Sequence, residues 1–426
     1  FLGLLPLVLL LSTKSPRWQP VVAASSIIAL HWWSTVSKPL IIHANVPFMA
    51  SIQAHCPALA RPYLPPPLLG NPHLMCMAAV ALRRNPQLPL RRQLLSTSDG
   101  GLIALDWVFP TSTLYRCVPA DGVCTTNGAE VSVSETKARI TSSKGVVLLL
   151  HGLSGSSSSK YLQNTMELLL KEQWTCVVMN ARGCGGLTLK TGQMFSAAWT
   201  EDVRLTTKVV AALLNDGQPL IAMGYSLGGN ILTKYLGEEG EATPVSAAVT
   251  VSNPMNLMKA SVHMERWLQR TLYSRHLVAG LLGYFRFNQE PLLATGRLGP
   301  LHEIEAAKSV MEFDSKVVVP LFGYRDNTHY YEDGSSARLL HNVAVPLMII
   351  DAADDIITGG PMCNIKDATA AVDANPNLLF VLTATGSHVG HLEGLAWRGA
   401  AWSDRVVAQY LDHVLHVGPS SKWVNR

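Results

Sequence analysis

The 426-residue sequence has few charged residues and no long run of basic ones. Charged side chains make up 15% of the chain, whereas a typical globular protein has about 25%, and hydrophobic residues make up 48%. This balance fits a globular body with a membrane-facing portion. The formal net charge of +4 is small and spread along the sequence, so nothing in it indicates a nucleic-acid partner.

The seven cysteines include no Cys-x-x-Cys pair and no zinc-finger spacing with histidine. Their odd number also argues against a complete disulfide framework. We therefore expect no bound metal and no organic cofactor.

The first forty residues are strongly hydrophobic, but each apolar run is too short to span a bilayer. Residues 1–11 are almost wholly apolar, and a second apolar run over 21–33 ends in two tryptophans that suit a membrane interface. We expect residues 1–40 to be a membrane anchor, single-pass or interfacial, in a compartment that the sequence does not identify. A signal-peptide remnant or a mistranslated 5′ segment is the alternative. The sequence begins at Phe1 instead of a methionine, which leaves the natural start open.

Prolines are frequent in the next part of the chain, and no helical or alternating period persists there. We therefore expect residues 41–88 to be a linker and approach segment. An Asp-Gly-Gly turn signal at 99–101 then separates candidate strands at 90–95 and 102–109, as a turn between antiparallel strands would.

Short, evenly apolar runs alternate with helix-length segments through the rest of the chain. Six of these runs are typical of parallel strands covered on both faces: 146–150, 176–179, 220–223, 247–251, 347–351 and 378–382. We expect helices at 161–172, 199–214 and 402–415. This alternation predicts an α/β domain over 89–416, built on a mostly parallel, doubly wound sheet with functional residues at the strand ends.

The interval 253–342 is far longer than a simple crossover between two strands. Its apolar and aromatic content predicts a helical cap insertion that covers the sheet and helps to shape a substrate pocket. A packed helical insertion without substrate contact is the alternative.

A Gly-x-Ser-x-Gly sequence at 224–228 follows one of the predicted strands. A serine hydroxyl is a weak nucleophile that must be held beside a base and an anion-stabilising pocket. A sharp strand-to-helix turn exposes the hydroxyl, and the small residues at 224, 228 and 229 let strand and helix pass closely. The segment therefore predicts a nucleophile elbow with Ser226 as the nucleophile. A glycine-rich turn with an inert serine is the alternative.

A serine nucleophile also needs a base and an acid that orients the base. Asp354 and Asp355 follow the predicted strand at 347–351. We choose Asp355 as the acid and expect Asp354, the competing candidate, to cap the following turn. His388 lies on a glycine-flanked loop after the last predicted strand and is the candidate base. His391 competes for that role, but its position suits packing better.

The anion-stabilising donors are expected from two backbone N–H groups. One belongs to Leu227, the residue after the nucleophile, and the other to Leu153 in the loop after the strand at 146–150. Gly152 lets that loop turn its amides inward. We expect His151 to buttress the loop by hydrogen bonding and to take no part in proton transfer.

Many separate segments resemble the YheT-type branch of the α/β hydrolases, over about residues 67–413. That branch includes vertebrate abhydrolase-domain lipases, plant embryogenesis-associated proteins and yeast medium-chain ethyl ester synthase/esterases. The matching segments are His151-Gly152-Leu153, Asn180-Ala181-Arg182-Gly183-Cys184, Gly224-Tyr225-Ser226-Leu227-Gly228-Gly229-Asn230, Glu312-Phe313-Asp314, Gly323-Tyr324, Tyr330-Tyr331, Ser335-Ser336, Asp354-Asp355 and His388.

This resemblance implies an α/β-hydrolase fold and hydrolysis of lipid-like acyl esters, often medium-chain esters or phospholipids, by proteins with an N-terminal membrane anchor. Two departures stand out, since Gly386-Ser387-His388 replaces the usual Gly-Gly-His and His391 stands where an aromatic residue is common. We interpret Asn180, Arg182, Gly183, Tyr330 and Tyr331 as structural, with an Arg182–Asp202 ion pair.

Together these features predict a serine carboxylic-ester hydrolase that forms an acyl-enzyme on Ser226. Its expected partners are a lipid or ester substrate and a membrane, with no nucleic acid. Two alternatives remain open: an acyltransferase that makes fatty acyl esters on the same site, and a membrane-tethered binding protein without turnover.

Overall fold

A computed structural model of the protein describes residues 25–26, 30, 32–43, 46–110, 132–360, 365–395 and 397–417. The strands of this part are β1 (Leu40–Ile42), β2 (Arg91–Ser96), β3 (Leu102–Val108), β4 (Val146–Leu150), β5 (Thr175–Asn180), β6 (Leu220–Tyr225), β7 (Ala247–Val251), β8 (Leu347–Ala352) and β9 (Leu378–Thr383). They form one sheet in the order β1-β9-β8-β7-β6-β4-β5-β3-β2.

The centre of this sheet is parallel, from β5 through β4, β6, β7 and β8 to β9. Every residue of β4 through β8 is buried, which explains why these strands read as continuous apolar runs without alternation. The predicted mostly parallel α/β sheet is confirmed. The predicted helices appear as Lys160–Lys171, Glu201–Ala211 and Trp402–Val417.

The predicted antiparallel pair is β2 and β3 at one edge of the sheet. Arg92 of β2 lies directly opposite Asp106 of β3, and its guanidinium donates hydrogen bonds of 2.7 and 2.8 Å to that carboxylate. The charge of Arg92 is therefore accommodated in this strand by a cross-strand ion pair.

Residues 41–88, where the sequence predicts a linker, instead carry defined structure. They contain the end of β1, which pairs antiparallel with β9, and three helices, Val46–His55, Pro57–Ala60 and Pro72–Ala81. These helices are four to ten residues long, so proline-rich turns interrupt the sequence before a helical period becomes visible.

This segment is held by burial against the C-terminal helix Trp402–Val417. Ile52, Leu59 and Tyr63 are fully or almost fully buried in the same apolar cluster as Trp402. The Tyr63 hydroxyl donates a hydrogen bond of 2.7 Å to the Leu392 carbonyl oxygen. The segment is thus part of the folded body, because its apolar residues cover one face of the sheet.

The predicted anchor over 1–40 falls mostly outside the described residues, of which the first is Ser25. Within the part of the chain that the structure describes, none of the helices combines the length and the apolar character needed to cross a membrane.

The chain between β7 and β8, here called the cap (residues 253–342), is helical along most of its length. Its helices are Leu257–Met264, Trp267–Gln269, Arg275–Phe287, Gln289–Leu293, Leu301–Glu305, Val310–Phe313, Val319–Phe322, Asn327–Gly334 and Ser336–Asn342, with π-helical turns at Arg270–Ser274 and Asp314–Val318. The cap packs around its own apolar cluster, which includes Phe285 and Phe313. Leu153 and Leu227 pack against the same cluster, so the cap lies over the carboxyl ends of β4 and β6.

Candidate active site

Ser226 lies on a sharp turn between β6 and the helix Leu227–Glu239, here called the elbow helix. Its φ of 51° and ψ of −122° are strained for a residue with a side chain. The turn is held on both sides, because the Ser226 N–H donates to the Val251 carbonyl oxygen and its own carbonyl accepts from the Asn230 N–H. The predicted strand–turn–helix context is therefore present.

Two glycines allow strand and helix to approach at this turn. A Cβ on Gly224 would lie 2.5 Å from the Gly228 carbonyl oxygen, and a Cβ on Gly228 would lie 2.5 Å from the His151 carbonyl oxygen. Any side chain at either position would force the backbones apart. Glycine is thus required here for close packing of the elbow helix.

The three candidate triad residues, far apart in sequence, meet in one hydrogen-bonded row. His388 Nε2 lies 2.9 Å from Ser226 Oγ, and His388 Nδ1 lies 2.8 Å from Asp355 Oδ2. Because a carboxylate only accepts, we assign the proton to Nδ1, which leaves Nε2 free to accept from the serine hydroxyl. The Asp355 side chain is 2% exposed and that of His388 14%, so water has little access to the pair.

Asp355 is held by its other oxygen, since Oδ1 accepts from the N–H groups of Ile357 and Thr358 at 2.8 and 3.0 Å. Burial opposes ionisation of this carboxyl, but the His388 ring and these N–H donors outweigh it. The pKa of Asp355 consequently lies below its ordinary value. The carboxylate is therefore ionised and fixed where it faces the imidazole.

Asp354, the competing candidate, does not contact His388. Its Oδ1 accepts from the Ser387 N–H at 2.8 Å, and burial raises its pKa to about 6. The turn cap that we expected from Asp354 is supplied by Asp355 instead, because Asp355 Oδ1 points back to the amides that follow it. Asp354 holds the loop that carries the histidine.

A third carboxyl, which sequence reasoning did not single out, lies beside this pair. Asp351 ends the predicted strand, and its Oδ1 accepts from the Asn253 N–H at 3.1 Å. Burial, and then the charge of Asp355, raises the pKa of Asp351 to about 7. Its position as the last residue of a buried strand is the only sequence signal that marks it.

The loop that carries His388 has an unusual backbone, since Ser387, Val389 and His391 all have φ between 41° and 55°. His391 is fully buried, and its ring stacks on Trp402 with centroids 5.8 Å apart. Its Nε2 lies 3.1 Å from Thr383 Oγ1, and burial lowers its pKa to about 4. The packing role expected for His391 therefore agrees with the structure.

The loop after β4 is braced as the sequence predicts. His151 Nδ1 donates to the Gly152 carbonyl oxygen at 2.7 Å, and its Nε2 accepts from the Ala181 N–H at 3.0 Å. Burial lowers the pKa of His151, which keeps the ring neutral. The Gly152 N–H donates to the Tyr161 hydroxyl and is therefore already used. The next N–H along the loop, that of Leu153, remains the candidate oxyanion donor. Leu227 begins the elbow helix, where the first N–H groups have no partner inside the helix.

Comparison with known proteins identifies the fold family of the chain. A family model described as the alpha/beta hydrolase fold matches residues 145–395. Phospholipase ABHD3 of Mus musculus is 30% identical over 399 residues, which cover 93% of this chain and 90% of that protein. Embryogenesis-associated protein EMB8 of Picea glauca is 33% identical over 361 residues, covering 83% and 73%. The putative esterase YheT of Escherichia coli (strain K12) is 29% identical over 352 residues, covering 82% and 92%.

The chain belongs to the α/β-hydrolase fold family. The resemblance carried by its motifs is thereby confirmed, including the YheT-type branch.

In this α/β hydrolase, Ser226 and His388 open into a cavity of about 640 Å³. Leu153 and Leu227 line it near the serine, and the cap contributes a largely apolar wall that includes Leu257, Leu281, Val310 and Phe313. A second wall comes from the helix Pro72–Ala81 through Cys76, Ala79 and Val80. Sequence reasoning missed this second wall, because the helix lies in the segment predicted as a linker.

Residues after β5 that belong to the family motif hold the loops around the hydrolase site. Arg182 is 1% exposed, and its guanidinium donates to Asp202 at 2.5 and 2.8 Å, so the expected ion pair is present. The same guanidinium donates to Asp99 at 2.7 Å, a second partner that we did not predict. The Tyr284 hydroxyl from the cap donates to the Arg182 carbonyl oxygen, which ties the cap to this loop.

Proposed function

We propose that this α/β hydrolase is a serine carboxylic-ester hydrolase that acts on lipid-like acyl esters. The observation that carries the proposal is the 2.9 Å contact between Ser226 Oγ and His388 Nε2 at the edge of a largely apolar cavity. A buried, ionised carboxylate on the far side of the imidazole completes the arrangement expected of a nucleophile and its base. Two relatives, a phospholipase and a putative esterase, point to the same class.

The proposed reaction is acyl transfer in two steps. Ser226 Oγ attacks the ester carbonyl while His388 Nε2 accepts its proton, and Asp355 stabilises the imidazolium. The N–H groups of Leu153 and Leu227 donate to the oxyanion of the tetrahedral intermediate. The imidazolium returns the proton to the departing alcohol, which leaves an acyl group on Ser226. A water molecule, activated by the same histidine, then releases the carboxylic acid.

The apolar lining supports a lipid-like acyl portion. Each methylene that leaves water on binding contributes about 0.8 kcal/mol, so a chain of several methylenes would gain much of its affinity from the cap and from helix Pro72–Ala81. A cavity of about 640 Å³ has the size common for small-molecule sites.

Replacing Ser226 by alanine tests the proposal. We expect the variant to lose labelling by a fluorophosphonate probe and to lose hydrolysis of a panel of p-nitrophenyl esters and phospholipids. Ser261→Ala is the matched control, because Ser261 lines the same cavity but donates its hydroxyl to the Met258 carbonyl oxygen. Undiminished labelling of the Ser226→Ala protein would remove this residue from the nucleophile role.

Product analysis with the wild-type protein separates the two alternatives. If ethanol and an acyl thioester yield ethyl ester in preference to free acid, the enzyme is an acyltransferase that uses the same site. If a folded protein turns over no ester of any chain length, the site binds without catalysis. Membrane association through residues 1–40 stays a prediction.

A further inference from the structure

The matched motif Glu312-Phe313-Asp314 plays no part in the proposed reaction, yet Asp314 faces the same cavity as Ser226. It begins the π-helical turn Asp314–Val318 in the cap. Such turns break the regular hydrogen bonding of a helix and occur often at functional sites. Asp314 is 7% exposed, so an acidic side chain is buried in a wall that is otherwise largely apolar.

Three other buried acids of the described chain have an arginine partner that Asp314 lacks, whereas Asp351 accepts from a backbone N–H. Asp106, Asp202 and Asp404 each pair with an arginine. In the described residues, the polar contact of Asp314 is one neutral hydrogen bond, from the Tyr331 hydroxyl to Oδ2 at 2.8 Å. A carboxylate has about four acceptor sites, so most of its hydrogen-bonding capacity is unused.

Asp314 lines the cavity, and its second oxygen, Oδ1, is not used by the Tyr331 hydrogen bond. This oxygen accepts no hydrogen bond from the described residues, and it is absent from the atoms that protein packing seals off. A carboxyl that is 7% exposed and has one neutral protein partner is costly to bury, which makes a purely structural role at this position unfavourable. Burial raises the pKa of Asp314 to about 7, so near neutral pH the group is present both as carboxylate and as carboxylic acid.

These observations define the chemistry of a matching ligand. A carboxylate requires a hydrogen-bond donor, and a carboxylic acid also offers its own O–H to an acceptor. A hydroxyl group can donate and accept, so it fits both forms, whereas an ammonium group only donates and fits only the carboxylate. The Tyr331 oxygen beside Asp314 has a lone pair that can accept as well.

We propose that Asp314 and Tyr331 form a polar subsite that binds a free hydroxyl group of the ester substrate. This inference rests on the proposed function, since it concerns the substrate of the site at Ser226. It implies that the enzyme prefers esters that carry a hydroxyl in addition to the scissile bond over equally large esters that are wholly apolar.

The test compares matched ester pairs that differ by one hydroxyl. One pair has the hydroxyl in the alcohol portion, as in the 2-hydroxyethyl and propyl esters of the same medium-chain acid, and the other has it at the end of the acyl chain. We expect the wild-type enzyme to favour the hydroxyl-bearing member of at least one pair by about tenfold or more in kcat/KM, the effect of one hydrogen bond to an acidic group.

Asp314→Leu should abolish that preference and leave hydrolysis of the apolar esters equal or faster. Asp314→Asn keeps acceptors for Tyr331 and for a hydroxyl, so it should retain part of the preference and serves as the variant that preserves packing. Val310→Ala, at another position of the cavity wall, is the control and should change both members of a pair alike.

A preference that is absent from the wild-type enzyme in both pairs, or that survives unchanged in Asp314→Leu, would overturn the subsite. In either case hydrolysis still depends on Ser226. If instead no ester of either pair is hydrolysed and Ser226→Ala changes nothing, the proposed function itself fails.

Discussion

Replacing Gly228 by alanine adds one methyl group where the elbow helix crosses the end of β4. The new Cβ would lie 2.5 Å from the His151 carbonyl oxygen and 2.6 Å from that of Leu150. Real Cβ contacts are longer than 3.0 Å, so the two backbones would have to separate by about 0.5 Å. Overpacking of this kind costs about 1–3 kcal/mol, whereas the better helix propensity of alanine returns at most about 1 kcal/mol. With the full return, the net loss of stability is up to about 2 kcal/mol.

The same displacement would move the Leu227 amide and the loop that carries Leu153. Misplacement of catalytic groups by an ångström reduces rates by about 10²-fold, so a shift of half that size should lower ester hydrolysis at least tenfold, although Ser226 and His388 are unchanged. Urea unfolding measures the loss of stability, and steady-state ester hydrolysis measures the loss of rate.

Gly283→Ala is the matched control for this substitution. Gly283 lies within the cap helix Arg275–Phe287, and a Cβ there would meet no atom within 4 Å. We expect the free energy of unfolding to increase by about 0.5–1 kcal/mol and the rate of ester hydrolysis to stay unchanged. If Gly228→Ala were as stable and as active as Gly283→Ala, the steric argument for the elbow would be refuted.

Three further substitutions address the charges around the site. Asp355→Asn keeps an acceptor for the neighbouring amides but cannot stabilise the His388 imidazolium, so we expect kcat to fall by about 10⁴ with little loss of stability; an unimpaired rate would contradict the orienting role. Asp351→Asn removes a carboxyl whose folded-state pKa of about 7 lies above its unfolded value of about 3.9. The folded wild type then binds more protons than the unfolded chain between about pH 4 and 7 and loses stability as pH rises through that window. Relative to the wild type, the free energy of unfolding of the variant, measured with urea, should increase from pH 5 to pH 8. A difference in free energy that stays constant over this range would contradict the raised pKa. Arg182→Leu leaves the buried Asp202 unpaired and should lower the free energy of unfolding by about 3–5 kcal/mol. The double variant Arg182→Leu/Asp202→Leu should recover part of this loss, as urea unfolding would show.

The central strands were predictable because a parallel strand covered on both faces needs apolar residues at every position. β4 and β7 match the predicted runs at both ends, and the others differ by one or two residues. β1 has only three residues, and it becomes a strand because β9 lies beside it. A segment this short carries no period of its own, so its pairing cannot be inferred locally.

The helices between His43 and Leu82 were missed for a related reason. Each has at most ten residues. The first two are stabilised by contact with the C-terminal helix and Pro72–Ala81 by contact with Leu392, all more than three hundred residues away in sequence. One of them, Pro72–Ala81, supplies a wall of the candidate site, so part of the pocket depended on a contact that no local pattern indicates.

The sequence by itself determined which segments carry the serine and the histidine, because an elbow and a glycine-flanked loop are local features with characteristic spacing. Only the tertiary structure decided which of Asp354 and Asp355 faces His388, since adjacent carboxylates differ in direction and not in chemistry. It likewise decided that Asp314 faces the cavity with one neutral partner. Hydrogen bonds between distant segments depend on ångström distances that chain folding sets, and residue types alone do not specify them.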